Sequence, residues 1–320
     1  MGMLEKRNTY KPFEYPWAQE AWETQAKVFW IPTEVPMAND VMDWKKNIGE
    51  REKSLIKSIL TFFTQADMDV HCAYLDHYLP RIQKPEIRRM LTMFAAMETT
   101  HIVGYAYLND TLGLPDSTYT DFLKYKAMVD KHEFNESFYS DSPTDLATTM
   151  AGFGAFVEGM QLFASFCLLL NFQRFGKLKG MGQIVAWSVR DETLHCQSTI
   201  QMFRTFVDEY DHQIDREELA KRVRKTCKHA VDCEDAFIDL VFDSGDMEGL
   251  TREEVKKFIR YIADLRMVQL GYEPMFGVSE DPLPWFQSII GGVEHTSFFE
   301  NKPTAYSKGA TSGSWEGAFF

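Results

Sequence analysis

Apolar side chains recur along most of this chain at the three- and four-residue spacing of a helix, while the alternation expected of strands is scarce. The pattern predicts an all-α protein. A long helix runs from about Glu50 to Leu79 and is closed by Pro80. Pro85 opens a second, which carries the pattern as far as Gly113. A third spans about 143–175, a fourth about 181–209 and a fifth about 216–242. The sixth, "TREEVKKFIRYIADLRMVQLG", begins with a capping box made by Thr251 and Glu254. Four consecutive rods of roughly thirty residues, each about 45 Å long, suit a bundle, because no repeat of fixed period marks a solenoid.

The third segment holds the run "MAGFGAFVEGMQLFASFCLLLNF", 150–172, which is long enough to cross a bilayer. It carries Glu158 near its middle, and it lies between caps of soluble type, "SPTD" before it and Gly176 and Gly180 after it. A mid-depth carboxylate is costly in lipid, so the run is read as the buried centre of a helical protein. The composition agrees, since 320 residues with 45% hydrophobic and 14% aromatic content can bury a large core. A net charge of -13 argues against nucleic-acid or anionic-membrane partners. The basic run "RVRKTCKHA" is read as a solvated helix face. Five cysteines without metal spacing, and a first segment without an apolar leader core, point to a reducing cytoplasm.

The chemistry lies in polar residues set within these apolar rods. "ETTHIVGY" places Glu98, His101 and Tyr105 within about 60° of one another on one helix face. The Glu-x-x-His spacing returns on the fourth rod as Glu192 and His195. One copy is weak evidence; two copies on two rods are specific. Glu158 on the rod between them and an aspartate on the first rod, Asp67 or Asp69, add one carboxylate each. A carboxylate from each of two helices and Glu-x-x-His from each of two others is the set with which a bundle holds two metal ions. Such oxygen-rich ligands suit iron or manganese.

In these motifs the chain resembles the radical-generating small subunit of class I ribonucleotide reductases, from "FWIPTEV" near residue 30 through "DLRMVQLGYEP" to the tail. The resemblance implies a ferritin-like helical bundle, with four metal-binding helices and additional helices, over residues 1–300. It implies two metal ions per chain, iron or manganese, held by Asp67, Glu98, His101, Glu158, Glu192 and His195, and so favours Asp67 over Asp69. It makes Tyr105 the radical tyrosine, Asp191 the partner of a metal-bound histidine, and Trp30 and Tyr306 stations for electron relay. His71, one turn after Asp67, matches no fixed ligand and is read as a packed or solvent-bonded histidine.

The implied function is generation of an oxidant, at a dinuclear centre activated by oxygen species, for a large catalytic subunit that makes deoxyribonucleotides. Rivals on the same fold are a di-metal oxygenase or desaturase and an iron-storage ferritin; Tyr105 and the tail count against both. Residues 301–320, "NKPTAYSKGATSGSWEGAFF", lack apolar period and end in aromatics, as a flexible docking tail would. The expected partners are that large subunit, a second copy of the chain in a homodimer and, where the metal is manganese, a flavodoxin-like activator.

Overall fold

Proline and short polar caps set where the rods begin. In the structure, a computed structural model that describes residues 2–243 and 245–289, eleven α-helices lie wholly within the described residues, and those residues hold no β-strand. They are α1 (Pro16–Lys27), α2 (Ala38–Lys46), α3 (Glu50–Cys72), α4 (Pro85–Leu112), α5 (Thr118–Asp121), α6 (Lys126–Glu136), α7 (Pro143–Met150), α8 (Leu162–Arg174), α9 (Lys179–Glu209), α10 (Arg216–Val241) and α11 (Arg252–Leu270). Pro16, Pro85 and Pro143 stand in first turns, where the missing N–H has no partner to lose. Ser142 caps α7, and Thr251 with Glu254 caps α11 as its sequence requires. Gly113 and Gly271 end α4 and α11 with φ of 69° and 93°, a conformation that strains any residue with a Cβ.

Two stretches depart from the expected α-helix. α3 runs on into a π-helical segment, Ala73–Tyr78, and a second π segment, Ala151–Gln161, joins α7 to α8 in one rod. The residues of that rod from 149 to 172 are all buried, so the membrane-length run is the centre of the bundle. Each fully buried Leu or Phe contributes about 1.5–3 kcal/mol, and this rod buries ten such side chains. It packs closely on α9. A Cβ on Gly154 would stand 2.3 Å from Thr199 Cγ2, and one on Gly159 would stand 2.5 Å from Cys196 Sγ.

α3, α4, the α7–α8 rod and α9 form the four-helix core. α10 and α11 cover the outer side of the rod's π segment, while α1 lies across α4 and α9. The chain before α1 is fastened down as well: the Met3 and Leu4 amides donate to Glu209 and Tyr210, and Arg7 pairs with Glu86 at 2.5 Å. The short helices α1, α2, α5 and α6 are additions to the six expected segments. The proposed tail, with Tyr306, Trp315, Phe319 and Phe320, lies outside the described residues, as does the expected domain boundary at residue 300.

Candidate metal centre

Every helix of the core delivers at least one ionisable side chain to the bundle's middle. Asp67 comes from α3, Glu98 and His101 from α4, Glu158 from the π segment, and Glu192 and His195 from α9. All six are at most 1% exposed. Their ligand atoms form two groups, each within 4.8 Å: Asp67, Glu98, His101 and Glu192 in one, and Glu98, Glu158, Glu192 and His195 in the other. Glu98 and Glu192 belong to both. His101 Nδ1 faces Glu98 at 3.2 Å and Glu192 at 3.1 Å. His195 Nδ1 lies 2.8 Å from a Glu98 oxygen, without the angle of a hydrogen bond.

Four buried carboxylates against two imidazoles are short of donors. Among the described residues, Asp67 Oδ2, Glu98 Oε1, Glu158 Oε2, both oxygens of Glu192 and both nitrogens of His195 make no hydrogen bond. Buried polar atoms in this number are costly unless a cation completes them, so the residues present fit a pair of divalent ions. Without metal, burial together with the Glu98 charge pushes Glu192 up to about 8. Burial lowers the basicity of His195, but its contacts with Glu158 and Glu98 outweigh this and raise it to about 10. Burial, reinforced by the Asp67 charge, lifts the Tyr105 phenol well above its usual range.

Asp69 turns away from this centre, accepting hydrogen bonds from Gln65 at 2.8 Å and Asn135 at 3.1 Å and pairing with His132 at 3.0 Å. Its carboxylate is already supplied with donors, although Glu136 lies near enough to form a third ligand grouping. His71 also leaves the centre, placing Nδ1 2.9 Å from the Ala95 carbonyl. Tyr105, one turn beyond His101, is 1% exposed, and Phe63 lies edge-on against its ring at 4.2 Å. Among the described residues its hydroxyl makes no well-formed hydrogen bond.

Asp191 links the centre to the amino-terminal part of the chain. Its Oδ2 accepts the Trp30 indole N–H at 2.8 Å and faces His101 Nε2 at 3.3 Å. Its Oδ1 accepts from Gln25 at 3.1 Å and from Arg190 at 3.1 and 3.2 Å. A hydrogen on His101 Nε2 is thereby fixed, and the Nδ1 lone pair is aimed at the centre. Burial opposes the ionisation of Asp191, but His101 and Arg190 hold its carboxyl down to about 2. Trp30 stacks beside His101 at 6.0 Å and lies close over Gly104: a Cβ there would stand 3.3 Å from its ring, so the indole would have to give by a few tenths of an ångström. Sequence reasoning missed Gln25, since nothing local marks a partner 166 residues away. It also missed Tyr74, although its spacing of seven from Asp67 puts both on one helix face.

The family described as "Ribonucleotide reductase, small chain" matches residues 7–282. A probable ribonucleoside-diphosphate reductase small subunit of Invertebrate iridescent virus 3 is 45% identical, over 98% of this chain and 88% of that protein. Its counterpart in Invertebrate iridescent virus 6 is 40% identical, over 98% of each chain. Among solved structures, a putative class I ribonucleotide reductase from Bacillus halodurans superposes with a TM-score of 0.79 at 21% identity, covering 86% of this chain and 99% of that one. The dimanganese(II)-NrdF of Streptococcus sanguinis gives 0.76 at 22% identity, covering 89% and 99%. These likenesses identify the bundle as ferritin-like, and a carboxylate-histidine cluster that could hold metal sits at its middle. With matches that run nearly end to end, the chain belongs to the ribonucleotide reductase small-chain family, as the small subunit that pairs with a large one in a ribonucleoside-diphosphate reductase.

Proposed function

We propose that the six buried side chains Asp67, Glu98, His101, Glu158, Glu192 and His195 hold two metal ions per chain, with Glu98 and Glu192 shared between them. The two overlapping ligand groups, with their unpartnered oxygens and nitrogens, carry this reading. The ligand chemistry accepts iron and manganese alike; where manganese is bound, a flavodoxin-like protein is the activator. When bound, the ions supply one-electron oxidising chemistry with oxygen species.

The chain's own residues then hold and pass the oxidising equivalent. Tyr105 is the phenol that keeps it, in a dry site that Phe63 helps close against water. Asp191 holds the proton of His101 Nε2 and orients the Trp30 indole, so that Trp30, Asp191 and His101 form a continuous route outward. Metal-loaded protein is expected to give a tyrosyl signal in electron paramagnetic resonance that is absent from Tyr105→Phe. A signal of unchanged shape in that variant would remove Tyr105 from the role.

Residues 301–320 form the docking tail for the large subunit, with Tyr306 as the relay station in the gap. This rests on their composition, aromatic anchors in a segment without apolar period. Deleting residues 314–320 is expected to abolish complex formation and leave metal content intact. Tyr306→Phe is expected to bind but not turn over. Normal binding by the deletion, or parental turnover by Tyr306→Phe, would end the corresponding assignment.

The subunit works as a homodimer in the cytoplasm, supplying deoxyribonucleotides for DNA replication. Met68 and Leu75, seven residues apart and exposed, with Val103 exposed on α4, give apolar surface for a second copy. Sedimentation at micromolar concentration tests the dimer, and a monomer there would count against it. Five free cysteines, four of them buried, agree with a reducing compartment.

A further inference from the structure

Glu158 differs from the other carboxylates of the centre in how it is held. The one hydrogen bond it accepts among the described residues comes from the Tyr74 hydroxyl, 2.5 Å from Oε1, while Oε2 has no partner. Both residues stand in π segments, Tyr74 in Ala73–Tyr78 and Glu158 in Ala151–Gln161. A π turn widens the helix and changes which side chains share a face, and such turns gather at functional sites. Tyr74 itself is locked. It is 1% exposed, and its ring packs edge-on against Tyr78 at 5.6 Å, Phe94 at 6.2 Å and His195 at 6.2 Å. Asp67 and Tyr74, seven residues apart, project from one face of the same rod. One rod therefore supplies a carboxylate to the first ligand group and a phenol that fixes a carboxylate of the second.

We infer that Tyr74 is a positioning residue for the metal centre: its O–H is held on Oε1 of Glu158, the oxygen that also lies 3.6 Å from His195 Nδ1, so that Oε2 is the carboxylate oxygen left free for an ion. A freely rotating glutamate would close on an ion with both oxygens; the hydrogen bond to Tyr74 opposes this and keeps room for a small oxygen species. The inference rests on Glu158 being a ligand. It adds the residue that decides how Glu158 binds.

Cobalt(II) is the probe, because its visible absorption weakens as coordination number rises and is read without turnover. The protein is loaded with cobalt(II) alone, and bound cobalt per chain and the visible spectrum are compared across variants. Tyr74→Phe is expected to keep two cobalt ions per chain and lose visible absorption several-fold for one of them, as Glu158 chelates. Tyr78→Phe, equally buried but bonded to the Thr149 carbonyl at 3.3 Å, is expected to match the parent. A parental spectrum in Tyr74→Phe, or the same loss in Tyr78→Phe, would overturn the inference. If Tyr74→Phe does not fold, as read by circular dichroism, 3,5-difluorotyrosine at position 74 replaces it; this stronger donor must shift the cobalt bands, and unshifted bands overturn the inference. Glu158→Ala tests the underlying ligand reading separately: two cobalt ions retained would remove Glu158 as a ligand whatever Tyr74 does.

Discussion

Glu192→Ala is expected to reduce bound metal from two ions per chain to one or none, and to bring activity with the large subunit to background. Glu192 is common to both ligand groups, so its loss removes an oxygen from each ion rather than from one. Its carboxylate makes no hydrogen bond among the described residues, and its imidazole neighbours, His101 at 3.1 Å and His195 at 3.8 Å, are themselves proposed ligands. Elemental analysis of the loaded variant decides the matter, and two ions retained would end the assignment. The metal-free protein provides a second check with opposite sign. Burial raises Glu192 from an ordinary 4.5 to about 8, so the folded state favours the protonated acid. That preference costs stability progressively as pH rises through this interval, because the unfolded chain ionises first. The isosteric Glu192→Gln removes the penalty. Without metal it should melt above the parent, by a margin that widens between pH 4.5 and 8, while binding less metal.

Asp191→Ala is expected to lower turnover about 10–100-fold, the usual cost of removing a partner that orients a metal-bound histidine. It should also cost about 3–5 kcal/mol of stability, as for breaking a buried charged cluster from one side. Trp30, Gln25, Arg190 and His101 all address this one carboxylate, and alanine leaves them without an acceptor. Asp191→Asn keeps one oxygen acceptor and should fall between parent and alanine in both measures. Chemical denaturation and assay with excess large subunit give the two readings. Parental turnover in Asp191→Ala would exclude the Trp30–Asp191–His101 route.

The long rods and the six-residue cluster were legible because local signals coincide with global ones. Prolines at 85 and 143 and glycines at 113 and 271 mark ends that the structure keeps within one or two residues. Carboxylates and histidines stand out in apolar helices because burying them needs a reason. The π segment at 151–161 was not legible, for a physical reason. A stretch apolar on every side, such as "AGFGAFV", has no polar face from which to read a phase, so a change of winding leaves no trace in it. The choice of Asp67 over Asp69 rested on resemblance, since both lie in one turn; in the structure, donors from α3 itself and from α6 claim Asp69. Gln25 and Tyr74 belong to a third kind. Their residue types are ordinary, and only the approach of distant elements gives them a task.

The buried rod has a consequence during synthesis. Its 150–174 portion leaves the ribosome before α9, α10 and α11, the helices that cover it. The last of these, α11, ends at Leu270, 270 − 174 = 96 residues after Arg174, a stretch that takes about 5–19 s to synthesise at about 5–20 residues per second. For that interval the nascent chain displays a stretch with the length and apolarity of a membrane anchor. Slowing translation between α8 and α10 would therefore lengthen exposure to chaperones and to the membrane-targeting machinery, and soluble yield would depend on codon choice there more than on the stability of the finished bundle.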